Sequence, residues 1–182
     1  MPKILTLLAP GFEETEAVTV IDLLRRAGIE TITAAITADT RVTGSHNIII
    51  VADVTLDGLN PDVFDGVFLP GGQPGSNNLK KDERVLNLLK SFYIKKKWIS
   101  AICAAPLVLQ AAGILKDRRF TSYPGEKESF HDGAYTEMAV VTDGNLITSR
   151  GVGTAIDFAL SLVEILSGKE NRTRLAARIL WK

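Results

Sequence analysis

Hydrophobic and polar positions follow two alternating patterns along the chain. Short, nearly continuous apolar runs are typical of strands covered on both faces, and longer runs with apolar residues every three to four positions are typical of helices. Short runs predict parallel strands at Ile4–Leu8, Glu30–Ile36, Gly66–Pro70 and Trp98–Ile102.

Longer amphipathic segments follow these strands. The first has an acidic first turn, Arg25 and Arg26 in its last turn and Gly28 directly after it, which is the pattern of a complete helix with its stop signal. The helices predicted in this way are Thr15–Ala27, a segment around Val85–Phe92, Pro106–Leu115 and Ile156–Ser167.

Two further apolar segments read as hairpins. Asn47–Ala52 has a partner near Arg41–Thr43, and Met138–Val141 is joined to Leu146–Thr148 through Asp143-Gly144. We expect both hairpins to add antiparallel edges to the sheet. The alternation of strands and helices then predicts one α/β domain over residues 1–182, a doubly wound, mostly parallel sheet with helices on both faces.

Composition excludes several classes of function. The chain has 182 residues, 46% of them hydrophobic, and its formal net charge is zero, so charge gives no case for nucleic acid or a membrane surface as a specific partner. No apolar run is long enough for a signal segment or a membrane span. The single cysteine cannot form an internal disulfide, and we expect a reducing cytoplasm.

Candidate catalytic residues follow the carboxyl ends of the predicted strands. In doubly wound sheets, ligands bind beyond the carboxyl ends of the parallel strands. The segments Ala9–Glu16, Pro70–Ser76 and Cys103–Pro106 follow such strands and should share one edge. We expect Ser149–Gly153, which follows a hairpin, to lie off that edge.

Cys103 is the central residue of this group. An apolar strand runs into it and small residues follow, which is the layout of a nucleophile elbow. At the start of a helix, unpaired N–H groups and the helix dipole would favour the thiolate. The alternative is that a lone cysteine is a small buried hydrophobe, since free cysteine is often buried.

The partners of the thiol are less well defined by pattern. Glu13, Glu14 and Glu16 could all be solvated acids that complement the dipole of the first helix, and periodicity does not separate them. Glu16 is the best proton partner, because a carboxyl group beside a thiolate in a dry pocket would be protonated. N–H groups of the Gly71-Gly72 turn and of Ala104 could form an oxyanion site.

Metal and cofactor motifs are weak. Gly151-Val-Gly153 lacks the third small residue and the later acid of a dinucleotide loop, and no Walker loop is present. The chain has only two histidines, His46 and His131, and their separation in sequence does not predict a metal site. Each is interpreted as a loop histidine, and a position at the pocket rim is the alternative. We therefore expect no metal and no cofactor.

Four motifs in order resemble the DJ-1/ThiJ/PfpI superfamily, and the likeness covers essentially the whole chain. The match is closest to the DJ-1 branch and its bacterial YajL-type members. The motifs are Ala9–Ala17, Leu69–Gly72, Ala101–Pro106 and Thr148–Thr154.

The resemblance implies a flavodoxin-like fold, a homodimer and a reactive cysteine in contact with a protonated glutamate, which aligns with Glu16. It also aligns Gly72 and Ala104 with the backbone donors near the sulfur. Gly71, Tyr123, Gly151 and His46 are expected to line the pocket.

Five positions depart from family patterns. PfpI-type peptidases carry a histidine directly after the cysteine, where this chain has Ala104, so a protease triad is disfavoured. Members of the animal DJ-1 branch have a histidine where this chain has Tyr123 and an arginine where it has His46. They also carry further cysteines where this chain has Gly44 and Val51.

Two functions fit these residues. The first is a cofactor-independent enzyme that converts small dicarbonyls such as methylglyoxal to hydroxyacids, with protein deglycation as a related activity on glycated substrates. The second is an oxidative-stress sensor or chaperone that uses oxidation of Cys103 without significant turnover.

Overall fold

The computed structural model describes residues 1–182 and contains a central sheet with helices on both faces. Three short 3-10 turns lie at Pro61–Val63, Pro124–Ser129 and Val152–Thr154. The strands are β1 Lys3–Leu8, β2 Glu30–Ala35, β3 Arg41–Thr43, β4 Ile49–Val51, β5 Val54–Thr55, β6 Gly66–Leu69, β7 Trp98–Ile102, β8 Arg119–Phe120, β9 Ala134–Tyr135, β10 Val140–Asp143 and β11 Leu146–Ser149. The helices are α1 Glu14–Arg26, α2 Gly75–Lys81, α3 Glu83–Ile94, α4 Pro106–Ala111, α5 Ala155–Ser167 and α6 Lys169–Arg178.

The main sheet has seven strands in the order β10-β11-β7-β6-β1-β2-β5, all parallel except for β10. Side chains of β1 alternate between the two faces: Leu5 and Leu7 join one hydrophobic cluster and Ile4 joins another. Apolar side chains are therefore buried on both faces, which is why these strands read as continuous hydrophobic runs. The predicted flavodoxin-like, doubly wound α/β fold is confirmed.

Helix α1 begins and ends almost where the sequence predicts. The side chain of Glu13 caps it by accepting a 2.7 Å hydrogen bond from the amide of Glu16. At the other end Gly28 adopts φ 78°, a conformation that glycine reaches without steric cost. The capped end of α1 follows β1 directly and so lies at the carboxyl edge of the sheet.

Several predicted boundaries were wrong. Helix α4 ends at Ala111 rather than Leu115, because Gly113 turns left-handed and the amide of Ile114 bonds back to the carbonyl of Leu109. Strands β3 and β4 form a separate two-stranded sheet instead of an edge of the main one. In the second hairpin, Asp143 pairs with Leu146, so the turn is Gly144-Asn145.

No helix of the chain combines the length and the apolar composition that crossing a bilayer requires.

Candidate active site

Cys103 lies at a strained turn directly after β7. Its φ is 62°, in the left-handed region that non-glycine residues rarely occupy, as expected of a nucleophile elbow. Its amide donates to the carbonyl of Ser149 at 3.0 Å, and its carbonyl accepts from the amide of Tyr123 at 2.9 Å. These two hydrogen bonds hold the strained residue in place from both sides.

The segment after β11 reaches this site, contrary to the sequence-based expectation. Only β10 is antiparallel, so β11 runs parallel to β7 and Ser149 lies beside Ile102. A Cβ on Gly151 would lie 3.7 Å from Oε1 of Glu16 and 3.7 Å from the ring of Tyr123. Gly151 therefore lies close to both side chains. The side chain of Tyr123 is half exposed.

Glu16 is completely buried at the start of α1. Its Oε2 accepts a 2.9 Å hydrogen bond from the amide of Gly71, whereas Oε1 has no hydrogen-bond partner of standard geometry. The Glu16 carboxyl group and the Cys103 thiol are hydrogen-bonded to each other, and this contact affects the pKa of both groups. The buried carboxyl group is therefore available for proton exchange with the thiol.

The three acids that the sequence could not separate have three different roles. Glu13 caps α1, Glu16 faces the thiol, and Glu14 is buried against the loop between β3 and β4. Oε1 of Glu14 accepts from the amide of His46 at 2.6 Å, and Oε2 accepts from the hydroxyl of Ser45 at 3.1 Å. Glu14 and Glu16 are buried, so the alternative that they are solvated acids is wrong.

Hydrogen bonds keep Glu14 charged. Burial alone would raise the pKa of Glu14, but bonds from its own amide and from the side chain and amide of His46 lower it to about 2. Nδ1 of His46 lies 3.0 Å from Oε2 of Glu14, and its side chain is 71% exposed. His46 thus contacts α1 two residues before Glu16, and its place in the pocket lining stays a prediction.

His46 also brings together a group of potential metal ligands. Ligand atoms of Glu13, Glu14 and His46 all lie within 4.8 Å of one another. His46 therefore has acidic neighbours from α1, although the sequence pattern did not predict a metal site. The oxygens of Glu14 are already occupied by hydrogen bonds to the loop, which gives this cluster a structural role.

Glycines allow the close approach of backbone to the thiol. A Cβ on Gly71 would lie 2.5 Å from Cβ of Cys103 and 2.7 Å from Oε2 of Glu16, so no side chain fits there. Gly72 has φ 90°, and a Cβ on it would lie 2.4 Å from the amide nitrogen of Glu13. The Pro-Gly-Gly segment is therefore more than a surface turn.

The thiol has two backbone donors. Hydrogen bonds from the amides of Gly72 and Ala104 each lower the pKa of Cys103, as the proposed oxyanion site requires. Burial, and after it the charge of Glu16, outweigh them and raise the pKa of Cys103 to about 12. The expected lowering of this pKa by the helix terminus was wrong.

The short helix α4 adds few donors that could offset burial. Helix α4 has six residues and begins at Pro106, which has no N–H group. The amides of Ala105 and Leu107 donate to the carbonyls of Ile102 and Ala104. Few free donors of the helix start therefore remain for the sulfur.

Glu16 holds the other proton of the pair. Burial, together with the nearby charge of Glu13, raises the pKa of Glu16 to about 7. Because the two groups are in contact, they titrate as a coupled pair in which the Glu16 carboxyl group loses its proton well before the Cys103 thiol does. Near neutral pH the thiol therefore keeps its proton, while the neighbouring carboxyl group can gain or lose one.

Two contributions to the site have no signal in the sequence. The side chain of Asn78 in α2 donates to the carbonyl of Pro10 at 2.8 Å, which ties α2 to the loop before α1. The carbonyl of Ser149 fixes the amide of Cys103. Both contacts join residues far apart along the chain, and only the folded arrangement reveals them.

The fold and site define a flavodoxin-like α/β protein with a cysteine elbow beside a buried carboxyl group. The family model described as DJ-1/PfpI family matches residues 2–165, and the chain belongs to that family.

Several proteins of the family are similar to this chain along its whole length. It is 43% identical over 178 residues to Protein dj-1beta of Drosophila melanogaster, covering 97% of this chain and 95% of the relative. Superposition on the crystal structure of Drosophila melanogaster DJ-1beta gives a TM-score of 0.97 at 42% identity, covering 100% of this chain and 98% of that one.

Two other relatives differ in length and in name. Protein DJ-1 homolog B of Arabidopsis thaliana is 39% identical over 180 residues, 98% of this chain, but the chain spans only 41% of that relative. A protein of Pyrococcus abyssi named as a deglycase is 31% identical over 166 residues, covering 90% of this chain and 99% of the relative.

Proposed function

We propose that the protein is a cofactor-independent enzyme that converts reactive dicarbonyls to hydroxyacids, with methylglyoxal to lactate as the model reaction. The observation that carries this proposal is the contact between the Cys103 thiol and the buried Glu16, with the amides of Gly72 and Ala104 directed at the sulfur. A nucleophile, a proton carrier and two N–H donors are the parts that such a reaction needs.

The first step is addition of sulfur to the aldehyde carbon. Glu16 accepts the thiol proton as the S–C bond forms, and the developing oxygen charge is stabilised by the neighbouring amides before it is protonated to give a hemithioacetal. The strained backbone at Cys103 presents the sulfur at the carboxyl edge of the sheet for this attack.

The second stage is a proton shift between adjacent carbons. Glu16 removes the proton from the former aldehyde carbon to give an enediolate and returns a proton to the former ketone carbon, which leaves a thioester on Cys103. Water then cleaves the S–C bond, releases lactate and restores the thiol. The sum is methylglyoxal plus water to lactate, with no external oxidant or reductant.

The same steps extend to protein deglycation. In an aminocarbinol, formed by an amine and methylglyoxal, sulfur displaces the free amine and gives the same hemithioacetal. The deglycase name of the Pyrococcus abyssi relative supports this extension.

Lactate production tests the proposal. The purified protein is given methylglyoxal without glutathione, and D-lactate is measured over time. We expect Cys103→Ala to abolish turnover and Glu16→Gln to reduce kcat by about a hundredfold or more, the usual contribution of general acid–base catalysis. Full activity in Cys103→Ala would refute the proposal.

The rival function is an oxidation sensor, supported by the same two N–H groups. Two equivalents of peroxide would convert the thiol to a sulfinate and two waters, and the amides of Gly72 and Ala104 could bind the new oxygens. Mass spectrometry after mild peroxide treatment measures this directly. A stoichiometric gain of two oxygens on Cys103, in a protein that makes no lactate, would favour the sensor over the enzyme.

A further inference from the structure

Two hydroxyl groups join the loop after β11 into one connected chain of hydrogen bonds. Oγ of Ser149 donates to the carbonyl of Ala139 at 2.8 Å and lies 2.7 Å from Oγ1 of Thr154. Oγ1 of Thr154 in turn accepts from the amide of Gly151 at 3.1 Å. We call these four linked residues the Thr154 clamp. Neither of its two hydroxyl side chains has a place in the reaction proposed above.

The number of available hydrogens fixes the direction of this chain. The hydrogen of Ser149 is used at the carbonyl of Ala139, so the short contact between the two hydroxyl groups needs the hydrogen of Thr154. Oγ1 of Thr154 also lies 2.9 Å from the carbonyl of Gly151, but that carbonyl already accepts from the amide of Thr154 at 2.9 Å. Each hydroxyl group therefore accepts once and donates once, and hydrogen bonds linked in this way strengthen one another.

The clamp takes Thr154 away from the usual role of its position. Thr154 is the N-cap residue of α5, where a threonine side chain commonly accepts a hydrogen bond from the helix, yet it makes no such bond. It closes the preceding 3-10 turn instead. Closing that turn is the purely structural explanation, and it requires only the bond from Gly151. The contact with Ser149 is an addition that the turn does not need.

The residues held by the clamp adjoin both reactive side chains. The carbonyl of Ser149 accepts from the amide of Cys103 at 3.0 Å, where the backbone has its positive φ. A Cβ on Gly151 would lie 3.7 Å from Oε1 of Glu16, so the Gly151 backbone forms a wall beside the buried carboxyl group. The clamp thus fixes one neighbour of the thiol and one neighbour of the carboxyl group.

We infer that Thr154 is a positioning residue of the thiol site. Its hydroxyl group holds the Gly151 backbone beside Glu16 and the end of β11 beside Cys103, which keeps the thiol and the carboxyl group in place and shielded from water. The part of this inference that concerns turnover rests on the proposed function, whereas the part that concerns access to the thiol does not.

Removal of the hydroxyl group at nearly constant shape tests this role. Thr154→Val leaves the amide of Gly151 and the hydroxyl oxygen of Ser149 without a partner, whereas Thr154→Ser keeps the hydroxyl group. For methylglyoxal, kcat should fall about tenfold or more in Thr154→Val and KM should change less than about twofold, because the reacting groups shift but none is removed. Thr154→Ser should keep at least about half of the wild-type kcat.

Access to the thiol is measured without turnover. Burial raises the pKa of Cys103, so a looser wall should let water reach the thiol and increase the fraction of thiolate. At one fixed, mildly alkaline pH, iodoacetamide should alkylate Cys103 about threefold or more faster in Thr154→Val than in wild type. Thr154→Ser should react at the wild-type rate. Because unfolded protein would also react faster, both assays are run where the near-UV circular dichroism of the variants matches that of wild type.

Ser149→Ala separates the clamp from the turn. It removes the contact between the two hydroxyl groups and leaves Thr154 bound to Gly151, so a role confined to the turn predicts wild-type behaviour. We expect Ser149→Ala to lower kcat and raise the alkylation rate, as Thr154→Val does. The matched control is Ser161→Ala, which removes a hydroxyl group that donates within α5 to the carbonyl of Asp157 at 2.8 Å, and it should match wild type.

The outcomes separate this inference from the proposed function. Wild-type kcat and alkylation rates in both Thr154→Val and Ser149→Ala would overturn the positioning role. Equal effects of Thr154→Val and Thr154→Ser would also overturn it, since they would assign the effect to shape rather than to the hydroxyl group. If wild type makes no lactate but its alkylation rate still rises in Thr154→Val and Ser149→Ala, the proposed function fails and the positioning role of Thr154 stands.

Discussion

The amide of Gly71 donates a 2.9 Å hydrogen bond to Oε2 of Glu16 and thereby fixes one oxygen of a completely buried carboxyl group. The other oxygen, Oε1, has no hydrogen-bond partner and lies 3.7 Å from the position of a Cβ on Gly151. One backbone amide thus anchors the carboxyl group that contacts the Cys103 thiol.

Gly71→Ala should disturb this arrangement. The added Cβ would lie 2.5 Å from Cβ of Cys103 and 2.7 Å from Oε2 of Glu16. We expect kcat for methylglyoxal to fall by more than about tenfold and stability to fall by about 1–3 kcal/mol, as for overpacked interiors. Urea denaturation and lactate assays measure the two effects.

Gly153→Ala is the matched control for that substitution. A Cβ on Gly153 meets nothing within 4 Å, and its φ is not positive. Near-equal behaviour of the two alanine variants would contradict the steric account of Gly71.

Glu16 should make the protein less stable as pH rises towards neutrality. Its pKa is about 7 when folded and 4.5 by reference, so between these values the folded state binds more protons than the unfolded state. Stability is then fully present below pH 4.5 and falls by about 3 kcal/mol as pH rises to 7. The Glu16→Gln variant cannot ionise at this position, so its free energy of unfolding, measured by urea titration between pH 4.5 and 7, should not show this fall. The same pH dependence in wild type and in Glu16→Gln would contradict the prediction.

The same variant should change the titration of Cys103. Burial remains, but the charge of Glu16 and its hydrogen bond, which both raise the pKa of Cys103, are removed. We therefore expect the pKa of Cys103 to fall below about 12 in Glu16→Gln, measured as the pH dependence of its alkylation rate. An unchanged thiol pKa would remove Glu16 from the mechanism.

Glu14 should have the opposite effect on stability. Its pKa is about 2 when folded against 4.5 by reference, so the unfolded state binds more protons in that window. Its stabilising contribution is present above pH 4.5 and is lost as pH falls towards 2. Glu14→Gln should be less stable than wild type at pH 7, with the difference shrinking towards pH 2, whereas the exposed Glu83→Gln should match wild type throughout.

The homodimer that the family resemblance implies can be tested at the β3–β4 hairpin. Its side chains Ile48, Ile49 and Val51 are 57%, 48% and 62% exposed, an unusual amount of apolar surface for one short hairpin. We expect sedimentation to show a dimer and Val51→Glu to shift it to monomer. The same change at exposed Val63, in the 3-10 turn before β6, should leave association unchanged.

The strands and α1 were predictable because their signals are local. Continuous apolarity marks β1, β6 and β7, and α1 carries its cap and its glycine stop in the sequence. Helix α2, Gly75–Lys81, was missed because its short polar sequence has little apolar periodicity.

The site was only partly predictable. The elbow at Cys103 follows from a strand that runs into small residues, and its positive φ bears out that pattern. Its pKa did not follow from the pattern, because burial and the contact with Glu16 depend on tertiary packing. The burial of Glu14 depends likewise on a loop distant in sequence, and the separation of the three acids required the structure.

The backbone of Cys103 is held by Ser149 on one side and Tyr123 on the other, and both are made after it during synthesis. A ribosome-bound chain that ends before Ser149 has the cysteine but lacks the carbonyl that fixes its amide. Cys103 therefore reaches the reactivity that it has in the folded protein only after β11, the last strand, has joined the sheet. Its reactivity indicates that folding is complete, not only that the residue has been synthesised.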